Sequence, residues 1–158
     1  MDRDGVINKK PKTHDYVKSW SEFTFNLGIK EIIKKANQLD YFIIIITNQR
    51  GVSRKLLTHL KLKQITQKMV EGFASENIII NALYYCPHSF EENCSCRKPL
   101  SGMFEQALLD FSIDIKKSIM IGDSKHDIEA AKKIGIINNF LLPTDKPHLF
   151  KLKNLDEK

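Results

Sequence analysis

The sequence lacks any long hydrophobic run. Its apolar runs are all well short of the roughly 18 residues that a membrane-spanning helix requires, and no basic-then-apolar leader precedes a small-residue cleavage site. Internal repeats and low-complexity tracts are also missing. We therefore expect a cytoplasmic protein. With 158 residues, of which 42% are hydrophobic, we expect one domain, 1–158, with a tail frayed from about 147 to 158.

Cysteine is scarce, and its placement argues against a disulfide framework. The three cysteines cannot all pair within the chain, and all lie between positions 86 and 96 beside a histidine. The pattern Cys-x-His, five residues, Cys-x-Cys supplies four ligands on one loop, 86–96: Cys86, His88, Cys94 and Cys96. It predicts a tetrahedral structural zinc site in a reducing compartment. The alternatives are a redox pair of Cys94 and Cys96, or unrelated buried thiols.

The net charge of +6 does not identify a partner. The lysines are scattered, with one small cluster at Lys9, Lys10 and Lys12, and a solvated basic surface is the simplest interpretation. A phosphorylated small molecule would be attracted by the same field. No stacking platform or basic groove pattern accompanies the charge, so the sequence argues against a nucleic-acid partner.

Apolar, β-branched runs alternate with helical patterns along the chain. The predicted strands are 42–46, 78–85, 118–121 and 136–142, and the predicted helices are 29–39, 58–73, 102–111 and 124–134, the last capped by Ser124. This order predicts an α/β three-layer sandwich around a central parallel, Rossmann-type sheet. No stretch is long enough for a large cap domain, so the site should be open.

The segment ahead of Asp2 departs from this order. Every other candidate site residue follows a predicted strand, whereas only Met1 precedes Asp2. We expect either a truncated chain or a sheet without its usual first strand. Truncation would put both the stability and the activity of the chain in doubt.

Polar side chains follow several of the predicted strands. Because the carboxyl ends of parallel strands meet at one sheet edge, this should bring together Asp2, Asp4, Thr47, Asn48, Asp123 and Asp127. Asp2 and Asp4 leave the same face of an extended segment, and a third carboxylate makes a magnesium site feasible. The alternative for the pair is a solvated turn. The alternative for Asp123 is an acid that stabilises a helix N-terminus.

Four motifs resemble, in order, those of the haloacid dehalogenase superfamily of phosphohydrolases. They are Asp2-Arg3-Asp4-Gly5, Thr47-Asn48-Gln49, Arg97-Lys98-Pro99 and Gly122-Asp123-Ser124. The resemblance spans residues 2 to about 135. It implies that Asp2 is the nucleophile that becomes an aspartyl-phosphate, and that Asp4 is the general acid and then the base that activates water.

The same resemblance implies the remaining roles. Asp2, the Asp4 carbonyl and Asp123 would hold magnesium, with Asp127 supporting the metal from its outer shell. Thr47 and Lys98 would bind the phosphoryl oxygens, and Asn48 would orient the site. The zinc loop ends directly at Arg97 and Lys98, so zinc should fix the backbone that carries these two cations.

Together with the cysteine loop, the motifs resemble two narrower groups, the D,D-heptose 1,7-bisphosphate phosphatases and the histidinol-phosphate phosphatases. Segments 15–25 and 47–54 are more similar to the heptose group, which implies an enzyme that removes the phosphate at C7 of a sugar bisphosphate. Separately, we expect a monomer. Arg97 and Arg54 would hold the rest of the substrate. Ser124 stands where many heptose enzymes carry lysine. The alternatives are a histidinol-phosphate phosphatase, a polynucleotide 3′-phosphatase and a non-enzymatic zinc-binding module.

Overall fold

The computed structural model describes residues 1–12 and 15–155. Four strands form two parallel pairs: β1 (Ile44–Asn48) with β2 (Ala82–Cys86), and β3 (Ile119–Gly122) with β4 (Asn138–Leu141). The main helices are α1 (Ile29–Gln38), α2 (His59–Ala74), α3 (Gly102–Asp110) and α4 (Lys125–Lys133). Short 3₁₀ helices are Trp20–Glu22, Ile115–Lys117, Pro147–Leu149 and Leu152–Leu155.

Met1 and Asp2 join the two strand pairs. The Met1 amino group donates to the Ile44 carbonyl at 2.7 Å, and the Ile46 N–H donates to the Met1 carbonyl at 2.9 Å. On the other side, the Asp2 N–H donates to the Ile121 carbonyl at 2.9 Å. These two residues therefore lie between β1 and β3 as a short central strand, and Asp2 leaves its carboxyl end.

A cavity of about 240 Å³ lies beside Met1. Its lining is mostly apolar and includes Ile44 of β1, Ile119 and Ile121 of β3, and Phe104 of α3.

Helices cover both faces of the sheet. Ile45 of β1 and Ile121 of β3 lie in one apolar cluster with residues of α1 and α2. Their neighbours in the chain, Ile46 and Met120, lie in a second cluster with residues of α3 and α4. Because successive strand residues point to opposite faces, this division places a helix layer on each side. The three-layer α/β prediction is confirmed.

The helix starts follow from capping. The Thr58 side chain accepts a hydrogen bond from the Lys61 N–H at the start of α2. At α4, the Ser124 hydroxyl accepts from the His126 N–H, while Asp127 Oδ2 accepts from the Ser124 N–H at 3.0 Å, completing a capping box. Asp127 is thus fixed before any ligand arrives.

Strand β2 is shorter than predicted. The apolar run begins at residue 78, but pairing with β1 begins at Ala82. Asn81 explains the difference, because its side-chain Oδ1 accepts from the Ile43 N–H at 2.7 Å and replaces a backbone partner there. Ile78 is buried instead as an apolar side chain just after the end of α2.

The segment from 147 to 155 differs from the frayed tail that its weak periodicity predicts. Phe150 and Leu155 are 3% exposed, and the Phe150 ring packs edge-on against Phe140, with centroids 4.9 Å apart. Isolated apolar residues that dock singly leave no periodic pattern. Residues 156–158 of the predicted tail lie outside the described residues.

Helix α2 has 16 residues, and none of the helices described in residues 1–12 and 15–155 combines the length and apolarity needed to cross a bilayer.

Gly122 offers a test of the packing beneath the candidate site. A Cβ at this position would lie 2.4 Å from Asp127 Cβ, so Gly122→Ala must push α4 away from β3. We expect a loss of about 1–3 kcal/mol in the free energy of unfolding, measured by urea denaturation. Gly72→Ala in α2 is the control, since its nearest contact is the Phe25 ring at 3.0 Å. Equal stability of the two variants would contradict this account.

Candidate active site

The carboxyl edge of the sheet brings the predicted acidic residues together. Carboxylate oxygens of Asp2, Asp123 and Asp127 all lie within 4.8 Å of one another. They line a pocket of about 380 Å³ together with Asp4, Lys10, Thr47, Asn48, Arg97 and Lys98. The more apolar cavity beside Met1 is lined by none of these groups, so the polar and charged side chains are concentrated in the pocket at the sheet edge.

Lys98 is the buried cation of the site, with only 2% of its side chain exposed. Its Nζ donates to Asp2 Oδ1 at 2.8 Å and to the Ile46 carbonyl at 2.6 Å, and pairs with Asp127 Oδ1 at 2.6 Å. These three contacts use all three ammonium protons. Lys98 therefore holds two carboxylates close together without an unpaired buried charge.

Burial raises the pKa of Asp2 to about 6. The neighbouring charges of Asp127 and Asp4 act in the same direction, while the charge and hydrogen bond of Lys98 oppose them. Asp2 therefore sits where its ionised form is costly unless further positive charge is near.

Asp4 is held in a different environment. Its carboxylate accepts from Arg3 Nη2 at 2.9 Å, Asn8 Nδ2 at 2.9 Å and Gln49 Nε2 at 2.8 Å. Burial acts to raise the pKa of Asp4, but Arg3 and these hydrogen bonds outweigh it and lower the pKa. Two carboxylates only two positions apart thus have pKa values displaced in opposite directions.

Arg3, Asn8 and Gln49 are site residues that sequence reasoning missed. Arg3 is 1% exposed, and its Nη2 also donates to Gln49 Oε1 at 3.1 Å. Arg3 and Gln49 stand inside two of the four motifs, so their positions in the sequence are a signal for a role in the site. Nothing in the sequence marks Asn8.

Thr47 and Asn48 end β1 at the pocket. Asn48 makes a reciprocal pair with the backbone of Lys98: its Nδ2 donates to the Lys98 carbonyl at 3.1 Å, and its Oδ1 accepts from the Lys98 N–H at 3.0 Å. Thr47 is 1% exposed, and its Oγ1 accepts from Gln49 Nε2 at 3.0 Å. Asn48 thereby fixes the backbone from which the buried ammonium extends.

The Asp123 side chain is fully buried and has an uneven set of partners. Its Oδ2 accepts from Lys10 Nζ at 2.8 Å and from Thr144 Oγ1 at 2.7 Å. Its Oδ1 is buried and has no hydrogen-bond partner among the described residues. An orphaned carboxylate oxygen beside two further carboxylates fits a magnesium ion, which prefers oxygen ligands.

Gly5 is required for this close approach. Its φ is +94°, and a Cβ on it would lie 2.1 Å from Asp123 Oδ2. The chain turns here immediately after Asp4, so the glycine brings the first motif against the fourth.

The cysteine loop brings its four predicted ligands together. The Sγ atoms of Cys86, Cys94 and Cys96 and a ring nitrogen of His88 lie within 4.8 Å of one another. His88 Nδ1 is 3.2 Å from Cys96 Sγ, and Cys86 Sγ is 3.6 Å from Cys94 Sγ. The three cysteines are free thiols. A donor set of three sulfurs and one imidazole nitrogen fits zinc.

The structure brings Arg97 but not Arg54 to the pocket. The Arg97 guanidinium lies 4.3 Å from the centroid of the Phe90 ring and donates to the His88 carbonyl at 3.2 Å. Arg50 occupies the other contact with this ring, at 4.9 Å. Arg54 is exposed, and neither Arg54 nor Arg50 is among the residues that line the pocket, although Arg50 contacts the Phe90 ring beside Arg97. The turn after β1 therefore directs Arg50, rather than Arg54, toward Arg97.

Comparison with known proteins agrees with this geometry. The family described as polynucleotide kinase 3 phosphatase matches residues 1–140. D-glycero-β-D-manno-heptose-1,7-bisphosphate 7-phosphatase of Helicobacter pylori is 38% identical over 152 residues, covering 94% of this chain and 86% of the relative. The α-anomer enzyme of Photorhabdus laumondii is 36% identical over 154 residues, covering 93% and 82%.

Among solved structures, the D,D-heptose 1,7-bisphosphate phosphatase of B. bronchiseptica, complexed with magnesium and phosphate, superposes with a TM-score of 0.85. It is 32% identical, and the match covers 93% of this chain and 80% of that structure. The site described above thus lies in a chain that matches these phosphatases over most of its length.

The raised pKa of Asp2 predicts a specific dependence of stability on pH. A native pKa of about 6, against an ordinary 3.8, means that ionised Asp2 destabilises the fold by up to about 3 kcal/mol. The cost is absent below pH ~4, where both states are protonated, and grows as the pH rises to about 6. In magnesium-free buffer, we expect Asp2→Asn to be more stable than wild type at pH 7 and equally stable near pH 4.

Urea denaturation across this pH range provides the measurement. Asp40→Asn makes the same chemical change at an exposed aspartate with a φ of 59°, a conformation that asparagine tolerates, and should show no such pH-dependent gain. An Asp2→Asn protein that is less stable than wild type at pH 7 would contradict the assigned environment.

Proposed function

This chain belongs to the polynucleotide kinase 3 phosphatase family of haloacid dehalogenase-like phosphatases. We propose that it is a magnesium-dependent phosphomonoester hydrolase. Its proposed substrate is D-glycero-D-manno-heptose 1,7-bisphosphate, which it would hydrolyse at C7. The observation that carries the proposal is the buried Lys98, which joins Asp2 and Asp127 beside Asp123 at the carboxyl edge of the sheet. Phosphoryl transfer depends on such positioned charge.

In the proposed reaction, Asp2 attacks phosphorus and forms an aspartyl-phosphate, while the sugar oxygen leaves with a proton from Asp4. Asp4 then takes a proton from the water that attacks the aspartyl-phosphate, which releases inorganic phosphate and restores Asp2. Because three donors favour the ionised form of Asp4, its protonation requires that at least one of these hydrogen bonds be exchanged. The pocket mouth, where Asp4 is 18% exposed, allows this.

Asp2, the backbone carbonyl of Asp4 and Asp123 would hold the magnesium ion, with Asp127 behind them. The ion would supply positive charge to the phosphoryl oxygens and favour ionised Asp2. The oxygens of Asp127 already accept from Lys98 and from the Ser124 N–H, which supports an indirect role for this residue. The buried Asp123 Oδ1 supports direct ligation.

Lys98 and Thr47 would contact the transferring phosphoryl oxygens, and for this the Lys98 ammonium must exchange one of its three present contacts for a phosphoryl oxygen. Both are buried at the floor of the pocket, so a phosphate that meets them is shielded from water. Asn48 is a positioning residue in this scheme, because its side-chain amide hydrogen-bonds to both the N–H and the carbonyl of Lys98.

The sugar bisphosphate is supported by the relatives, which carry this name at 36–38% identity. Arg97 and Arg50, which share the Phe90 ring, would hold the part of the substrate that is not hydrolysed. Histidinol phosphate is the alternative that the cysteine loop admits, and a polynucleotide 3′-phosphate is the alternative that the family description admits. We propose that the enzyme is a monomer.

We also propose a structural zinc ion on Cys86, His88, Cys94 and Cys96. The four donors converge and leave no coordination position for substrate. Three reduced thiols near one another support a reducing compartment, the cytoplasm.

The substrate proposal is tested by phosphate release with magnesium at matched concentrations of heptose 1,7-bisphosphate, histidinol phosphate and a 3′-phosphorylated oligonucleotide. We expect the heptose bisphosphate to be hydrolysed at least about tenfold faster than the other two, a difference of ~1.4 kcal/mol in activation free energy. The Asp2→Asn variant should release no phosphate from any of them and should form no phosphoenzyme.

A faster rate with either of the other substrates would overturn the sugar proposal but keep the phosphatase. An Asp2→Asn protein with more than a few per cent of wild-type turnover would overturn the role of Asp2.

Cys94→Ser tests the zinc proposal. Loss of this ligand should release zinc and lower kcat/KM, because Cys96 lies two residues before Lys98 and one before Arg97. Zinc content by mass spectrometry and kcat/KM give the two readouts, and Ser95→Ala, an exposed position in the same loop, is the matched control. Unchanged activity and magnesium dependence after complete loss of zinc would contradict the coupling.

A further inference from the structure

A second lysine reaches the acidic cluster from the opposite side to Lys98. Lys10 lies on the loop after Asn8, and its Nζ is 2.8 Å from Asp123 Oδ2. The Lys10 side chain is 44% exposed, whereas the Asp123 side chain is fully buried. Among Lys9, Lys10 and Lys12, Lys10 forms an ion pair with a carboxylate of the candidate site.

The loop that carries Lys10 is anchored on the same side of the pocket. The Lys10 N–H donates to Asp145 Oδ1 at 2.6 Å, and the Asp145 N–H donates to the Gly5 carbonyl at 2.8 Å. Thr144, the neighbour of Asp145, donates its hydroxyl to the same Asp123 oxygen that Lys10 contacts. The backbone of Lys10 is therefore tethered through Asp145 to the segment that also supplies a hydroxyl to Asp123, which places the Lys10 ammonium beside this carboxylate.

Lys10 contacts Asp123 Oδ2, whereas the magnesium ion proposed above would bind Asp123 Oδ1, so the two cations would share one carboxylate. The two cations would stand against one carboxylate at distances where like charges repel strongly. Lys98 also pairs with a proposed magnesium ligand, Asp2, but its buried ammonium is held by Asp127 and the Ile46 carbonyl as well, so it is not free to leave. Lys10 is half exposed, so its ammonium can leave Asp123 at little cost in solvation.

We propose that Lys10 is an exchangeable counter-ion of the metal site. Its ammonium neutralises Asp123 until magnesium displaces it, and it then binds the substrate phosphate in the same pocket. The inference rests on the proposed function, since it takes Asp123 as a magnesium ligand. Lys10 lines the pocket together with Thr47 and Lys98, so the displaced ammonium stays at the mouth through which an anion enters. Lys10 acts as a positioning residue for both ligands.

Exchange of this kind has opposite consequences for the two ligands. Without the ammonium, magnesium no longer has to displace a competing cation and binds more tightly. Phosphate, in contrast, loses one of its cations and binds the magnesium-loaded protein more weakly. Removing a residue with a purely structural role would weaken the binding of both ligands. Removing a surface lysine that only adds to the positive field would reduce the repulsion of magnesium slightly, and by the same amount at any surface position.

The test is isothermal calorimetry on zinc-loaded wild type, Lys10→Met and Lys9→Met, first with magnesium and then with inorganic phosphate at saturating magnesium. Methionine keeps the length of the side chain, and Lys9→Met removes the same charge from the adjacent, exposed position. For Lys10→Met we expect the magnesium Kd to fall about fivefold and the phosphate Kd to rise by a similar factor. Both Kd values of Lys9→Met should stay within about twofold of wild type.

Thermal unfolding gives an independent readout. The zinc-loaded Lys10→Met protein should have a lower Tm than wild type in magnesium-free buffer, because Asp123 loses its counter-ion, and a larger rise in Tm on adding magnesium. An unchanged or weaker magnesium affinity of Lys10→Met would overturn the proposed displacement. A tighter magnesium affinity with unchanged phosphate affinity would overturn the second step alone.

Asp123→Asn separates this inference from the proposed function. If wild type binds magnesium and Asp123→Asn does not, the metal site stands, and the Lys10→Met result alone decides the role of Lys10. If wild type binds no magnesium, both the proposed function and the role of Lys10 are overturned.

Discussion

The contacts of the Lys98 ammonium are the interaction on which the rest of the site depends. Three chain segments that are distant in sequence supply its partners: Asp2 at the start, the Ile46 carbonyl within β1, and Asp127 in α4. Two buried carboxylates so close together would repel each other strongly in the absence of a cation. Their cation is Lys98, two residues after the end of the cysteine loop, so this loop must dock correctly for the acidic cluster to form.

Around that cation, the site assigns different electrostatic environments to chemically identical groups. Asp2 faces burial and two like charges, which raise its pKa, while Asp4 faces Arg3, Asn8 and Gln49, which together lower its pKa. The three side chains that lower the pKa of Asp4 do not themselves line the pocket. Arg3 in particular is buried and donates a hydrogen bond to Gln49. A residue inside the first motif therefore connects that motif to the residue that follows β1.

Much of this arrangement could be predicted from the sequence, and the remainder could not for physical reasons. The parallel sheet, the capping of α4 by Ser124 and the convergence of the carboxylates follow from apolar runs that end at polar residues, which is local information. The short β2 depends on one side-chain hydrogen bond of Asn81. The packed segment 147–155 depends on the burial of two single apolar residues, Phe150 and Leu155, which form no periodic pattern in the sequence. The choice of Arg50 over Arg54 beside Phe90 depends on the direction of a turn, which composition does not encode.

The spacing between the cysteine loop and Lys98 has an evolutionary consequence. One residue separates Cys96 from Lys98, and Asn48 clamps the Lys98 amide to the end of β1. The stretch between His88 and Cys94 has no such tether to the acidic cluster, and its residues 90–93 are exposed. Insertions and deletions should therefore accumulate between His88 and Cys94 as such sequences diverge, whereas a single added residue between Cys96 and Lys98 would move the ammonium out of reach of both carboxylates at once.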